Sequence, residues 1–170
     1  AFRNASTTKF IVALAILKLV DQGKLQLNQK VGDILPKLHG SIGKLTIKQL
    51  ISHSSGLMDR TNDFGEGGVS KQIQFSQRLR SGDVFAKPDM VFSYSNIGYN
   101  ILGAVIEQVM QSDFNTAMQK LIFKPYGLKQ STFRIETLDA ENIAIGHYKS
   151  NKSFSANHRM PDNAEERASG

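Results

Sequence analysis

Eight consecutive apolar residues, Phe10 to Leu17, stand directly behind a hydroxyl-rich start, Ser6-Thr7-Thr8-Lys9, and the apolar character continues through Leu19 and Val20 to Asp21-Gln22-Gly23. A polar entry, an apolar body and a glycine stop predict a helix. Apolar residues fall on nearly every face of it rather than on one stripe, so a core helix with neighbours all round is expected. The run is far short of the ~18 residues that a membrane span needs. No transmembrane segment is expected in this chain.

The first turn of that helix goes against preference. A helix N-terminus carries partial positive charge, so a lysine there is mildly disfavoured. Lys9 follows Ser6 by three residues, a spacing that puts both side chains on one face about 5–6 Å apart at Cβ. A serine hydroxyl is a weak nucleophile until a nearby base takes its proton, and a lysine can be that base when burial and a positive helix end favour its neutral form. Two readings fit: a nucleophile beside its base, or an N-cap serine beside a solvated lysine. Ser41-Ile42-Gly43-Lys44 has the same spacing, but reads as a glycine-flanked loop with no buried helix behind it.

The chain has 170 residues and 40% hydrophobic content, enough for one domain with a real core. With no cysteine, disulfides and thiolate metal sites are excluded. His39, His53, His147 and His158 are widely separated and match no metal-binding pattern, so no metal is expected. The formal charge of +6 is dispersed, with no block of like charges, and reads as solvated surface rather than as a nucleic-acid footprint. The chain opens at Ala1-Phe2-Arg3 with neither Met nor a signal segment. The natural N-terminus is therefore expected to be missing.

After Gly23, Leu25, Leu27, Val31, Ile34 and Leu35 punctuate a polar stretch read as a compact loop ending at Pro36. Thr46-Ile47-Lys48-Gln49 is a capping box, opening an element that stops at Gly56. His53 near its end is read as a structural, hydrogen-bonded histidine. Gly65-Glu66-Gly67-Gly68 lacks the Gly-Lys-Ser/Thr ending of a phosphate loop and reads as a flexible connection. Ser70 can cap a short helix through about Arg80. Pro88 starts a turn, Val91 to Tyr94 looks extended, and Ser95-Asn96 open a helix in which Ile97, Ile101, Leu102, Val105, Ile106, Val109 and Met110 recur at helical spacing. Gly98 and Gly103 inside it suggest close packing against another backbone. A helix from about Asp113 to Phe123 follows, then a candidate strand over 131–135. Residues 146–170 show little periodicity.

Three motifs occur in order: Phe2-Arg3-Asn4-Ala5-Ser6-Thr7-Thr8-Lys9, Leu50-Ile51-Ser52-His53-Ser54-Ser55-Gly56-Leu57, and Phe92-Ser93-Tyr94-Ser95-Asn96-Ile97-Gly98-Tyr99, the last followed by Leu102-Gly103 and Glu107. Together they resemble the β-lactamase-related serine hydrolases, which include class C β-lactamases, low-molecular-weight penicillin-binding proteins and esterase relatives. The resemblance extends over about residues 2–148. It implies that Ser6 is the acyl-accepting nucleophile, Lys9 its base or proton relay, and Tyr94 a phenol working with Lys9 in proton transfer. Asn96 would position the substrate amide or Lys9. Read without the family, Tyr94 is a core tyrosine and Asn96 an N-cap.

The family fold is α+β, a helical region packed against an antiparallel sheet, with the site at their junction. This chain resembles mostly the helical region, with the sheet largely missing; residues 1–170 are expected to be a partial domain lacking N-terminal strands and C-terminal sheet strands. No Lys-Thr-Gly or His-x-Gly triad follows Tyr94, and Asp89 stands where the family often has Gly. The resemblance implies a covalent acyl-enzyme with a β-lactam, D-alanyl peptide or ester, no cofactor, and a periplasmic or cell-surface location. It also leaves room for a non-catalytic module that binds peptidoglycan or a partner. Truncation would favour self-association.

Overall fold

Val12, Ala15, Ile16 and Leu19 repeat at the spacing of one helical face, and all four are fully buried in helix α1 (Thr8–Asp21). In the computed structural model, which describes residues 1–38, 40–59, 79–134, 137–150 and 153–157, they pack against a longer helix, α5 (Asn96–Met110). Every residue of α5 from Ile97 to Glu107 is buried, so α5 is the central element of the core. Each large aliphatic side chain removed from water here contributes about 1.5–3 kcal/mol.

Three short helices precede it: α2 (Val31–Ile34), α3 (Gly40–Gly43) and α4 (Ile47–Ile51). The stretch after Gly23 is thus partly helical rather than a plain loop, and Ser41 lies in a helical turn with its hydroxyl donating to the Ser81 carbonyl. Backbones come unusually close here, since a Cβ on Gly32 would lie 2.8 Å from the Gly43 carbonyl oxygen. The Thr46 capping box forms in full: Thr46 Oγ1 accepts from Gln49 N–H, and Gln49 Oε1 accepts from Thr46 N–H. It starts α4 squarely against α5.

Beyond α5, Asp113 caps α6 (Phe114–Met118), and the chain continues as a π-helical turn, Gln119–Phe123, against α1. The candidate strand is not formed over residues 131–134. Phe133 instead fills the space between Phe114 and Phe123, and Arg134 pairs with Asp113 at 3.2 Å. The only sheet among the described residues is a hairpin, β1 (Gly146–Ser150) paired antiparallel with β2 (Ser153–Asn157). Val91 to Tyr94 belong to no strand. Gly98 meets the Leu50 side chain at ordinary contact distance rather than another backbone. The glycine-rich stretch at 65–68 and the expected helix from Ser70 lie outside the described residues, apart from Leu79 and Arg80.

Helix α1 departs from expectation on one face. Phe10, Leu14 and Leu17 are 81%, 43% and 46% exposed, and their spacing makes them one continuous stripe. An unbroken apolar run does not by itself tell which of its faces the fold covers. No described helix is long and apolar enough to cross a membrane.

Candidate active site

Ser6 does not cap α1. It sits one step ahead of the helix in a 3-10 turn, Ala5–Thr7, whose first residue has φ +44°. A left-handed backbone at a non-glycine residue costs about 1–2 kcal/mol, so the chain holds Ser6 out of the helix against a local preference. Lys9, in the first turn of α1, is only 5% exposed, whereas Ser6 faces solvent.

The second helix entrance meets the first. Ser95 is the N-cap of α5, its Oγ accepting from Gly98 N–H at 3.1 Å. That leaves Asn96 in the first turn with its amide free to reach sideways, and its Oδ1 accepts from Lys9 Nζ at 2.6 Å. Lys9 Nζ also donates to Ser6 Oγ at 3.2 Å, and the Tyr94 hydroxyl donates to the same oxygen at 2.7 Å. Ser6, Lys9, Tyr94 and Asn96, predicted from separate motifs, form one hydrogen-bonded cluster. Tyr94 is 42% exposed, so the core-tyrosine reading does not hold, and with Ser95 as the cap neither does the N-cap reading of Asn96.

Aromatic rings wall the amine. Lys9 Nζ lies 4.8 Å from the Tyr94 ring centre and 5.6 Å from that of Tyr99, within cation–π range. The Tyr99 hydroxyl donates to the Ile51 carbonyl, and burial followed by the neighbouring Tyr94 pushes its pKa above the usual phenol value. Tyr99 therefore stays protonated. Tyr94 is the phenol hydrogen-bonded to Ser6.

His53 supports Tyr94 from the other side. Its ring stacks on Tyr94 at 4.6 Å and meets Phe92 edge-on at 5.8 Å. Its Nδ1 accepts from Ser95 N–H at 3.1 Å, which assigns the neutral tautomer with the proton on Nε2. Burial first and the Lys9 charge second lower its pKa below the ordinary histidine value, with Asp59 opposing. The hydrogen-bonded, structural histidine expected from sequence is present, and it works as an acceptor.

Asp89 occupies the turn before Tyr94. Asp89 has φ +67°, and its carboxylate accepts from Gln49 Nε2 at 2.6 Å and Ser54 Oγ at 2.9 Å. Those bonds, the Gln49 one foremost, hold its pKa below the usual carboxylate value. Aspartate tolerates this backbone region better than most residues.

Sequence reasoning passed over Asp59. Its Oδ1 accepts from Asn96 N–H at 3.2 Å and its Oδ2 from Asn96 Nδ2 at 3.1 Å. No local pattern marks a lone aspartate after Leu57-Met58 as part of a site.

The fold that carries this cluster is the β-lactamase and penicillin-binding-protein fold, represented mostly by its helices. The family model described as Beta-lactamase matches residues 1–170, and the chain belongs to that family. It is 32% identical over 152 residues to the Staphylococcus aureus protein flp, a match spanning 86% of this chain and 30% of that protein. It is also 32% identical over 151 residues to penicillin-binding protein 4 of Amycolatopsis lactamdurans, spanning 86% of this chain and 39% of that one. Among solved structures it resembles EstCE1, described as a hydrolase with promiscuous acyltransferase activity. That match has a TM-score of 0.78 at 27% identity and covers 92% of this chain and 45% of EstCE1. The chain thus spans 30% and 39% of the length of these two curated relatives.

Proposed function

We propose that this chain carries the nucleophile-bearing part of a serine acyl hydrolase acting on a β-lactam, a D-alanyl peptide or an ester. The supporting observation is the convergence of Lys9 Nζ and the Tyr94 hydroxyl on one exposed serine oxygen. Both groups donate to Ser6 in the resting arrangement, so attack begins once the cluster gives up a proton and Ser6 can donate instead. Ser6 Oγ then bonds to the substrate carbonyl carbon. Its proton passes through Lys9 and Tyr94 to the leaving nitrogen or oxygen as the scissile bond breaks, leaving an acyl-serine. Water cleaves that ester by the same groups in reverse. Asn96 holds Lys9 in place through their 2.6 Å bond.

Residues 1–170 form part of a larger catalytic domain in this reading, and the remainder supplies the sheet and a second donor for the oxyanion. Action on a β-lactam or a D-alanyl peptide would have the protein working in the periplasm or at the cell surface. Protein from the full reading frame, treated with fluorescent penicillin or a fluorophosphonate, gains the probe's mass on the peptide carrying Ser6, and Ser6→Ala abolishes it. An adduct that survives Ser6→Ala, or maps to Ser41, removes Ser6 as nucleophile. Complete absence of an adduct favours a non-catalytic binding module.

A further inference from the structure

Asp59 makes a two-point contact with a single residue. One carboxylate oxygen takes the backbone N–H of Asn96 and the other takes its side-chain Nδ2, at 3.2 and 3.1 Å. Ser95 already occupies the N-cap and takes the Gly98 N–H; Asp59 takes the Asn96 N–H, another of the first-turn donors, with one oxygen, and its second oxygen serves the side chain alone. What that second contact determines is which way the Asn96 amide points. An amide has a donor end and an acceptor end of nearly equal shape, and either can face a given neighbour. A carboxylate on one side accepts only from the nitrogen, so the oxygen is turned toward Lys9 Nζ, 2.6 Å away. In the opposite orientation an N–H₂ group would face the ammonium and an oxygen would face the carboxylate. Both contacts would become repulsive.

The chain holds Asp59 firmly in that place. Leu57 is fully buried and bridges to Val84, Phe85 N–H donates to the Gly56 carbonyl at 2.9 Å, and Met58 N–H donates to the Asp83 carbonyl at 2.8 Å. Gly56 has φ +72°, and a Cβ there would lie 2.1 Å from the Ala86 carbonyl oxygen. This short ladder delivers Asp59 to the first turn of α5 from a segment that holds no other member of the Ser6 cluster.

We propose that Asp59 is a positioning residue that acts through Asn96, fixing its amide so that Asn96 Oδ1 holds Lys9 Nζ beside Ser6. The inference rests on the reading of Ser6 as nucleophile. Without the carboxylate only Lys9 itself orients the amide, so Asn96 Oδ1 leaves Lys9 Nζ for part of the time, and acylation slows while substrate binding is little affected. Loss of alignment at a reacting centre is costly even for small displacements, on the order of 10²-fold per ångström.

The test uses protein from the full reading frame and follows Ser6 acylation by a fluorescent penicillin across probe concentrations. Asp59→Asn lowers the saturating acylation rate roughly tenfold or more, and the half-saturating concentration changes by less than about twofold. In an Asn96→Ala background the same substitution changes the rate by less than about twofold, because its route of action is gone. Asp59→Ser is measured alongside, with thermal midpoints, so that the comparison does not depend on one variant's folding. Wild-type acylation rates in both Asp59 variants overturn the inference, as does an undiminished loss in the Asn96→Ala background. If the wild-type protein forms no Ser6 adduct, the functional reading fails first; a normal adduct with unaffected Asp59 variants sinks only the positioning role.

Discussion

Lys9 Nζ lies closer to Asn96 Oδ1 than to Ser6 Oγ, 2.6 Å against 3.2 Å. The amide anchors the charged amine and the serine takes its looser bond, so the proton relation between Lys9 and Ser6 can change without moving the nitrogen far. Arginine at this position keeps the charge but cannot give up a proton at working pH. Lys9→Arg is therefore expected to lower Ser6 acylation by at least ~10²-fold. Probe labelling measured beside circular dichroism checks this. A near-normal rate would make Lys9 an electrostatic group only.

Tyr94→Phe separates the hydroxyl from the ring. The ring keeps its stack on His53 at 4.6 Å and its place under Lys9 at 4.8 Å, while the bond to Ser6 disappears. Acylation is expected to fall ~10²–10⁴-fold with the thermal midpoint nearly unchanged. Stopped-flow acylation and a thermal melt measure the two effects, and a variant with intact rate would exclude Tyr94 from proton transfer.

His53 gives the protein a stability change near neutral pH. Its pKa is lowered in the folded state, chiefly by burial, so the unfolded chain binds more protons around and below pH 6.5. Its contribution is fully present above the unfolded value and is lost as pH falls through the folded one. Wild-type protein should therefore lose thermal midpoint between pH 7 and pH 5. His53→Asn, which offers an acceptor to Ser95 N–H and tolerates the φ of +56° at this position, should lose less over that range. Equal slopes would show that His53 does not titrate in this window. Asp89, whose pKa is lowered, changes stability in a more acidic range, below the ordinary aspartate value.

The stripe of Phe10, Leu14 and Leu17 should make the 170-residue chain associate when expressed by itself. Light scattering on the isolated chain is expected to report a mass above 18.8 kDa. Leu14→Glu together with Leu17→Lys should shift it toward the monomer. A wild-type monomer at high micromolar concentration would contradict this expectation.

Legibility from sequence followed the separation between partners. Ser6 and Lys9 lie within one helical turn, so their spacing already carries a distance. Tyr94 and Asn96 are 88 and 87 residues from their partners, and only the resemblance joined them to the first motif. Asp59 is 37 residues from Asn96 and had neither advantage. The capping box at Thr46 was readable because both of its bonds are local. The hairpin at Gly146–Asn157 was not, since so few apolar residues occur in it that alternation has little to act on. Phe133 shows the opposite failure: an apolar residue suited to a strand is used as a plug between two rings.

The long reach from Ser6 to Tyr94 makes the site a timekeeper for folding. Helices α1 and α5 can each form locally within about a microsecond, but Ser6 gains its tyrosine only after some ninety residues have closed into a loop, which is the slower and entropically dearer event. Acyl-probe capture during refolding would then register the docking of the two helix ends and not the appearance of helix. A lag between the far-ultraviolet signal and labelling competence would measure how long the chain exists as assembled secondary structure with no chemistry.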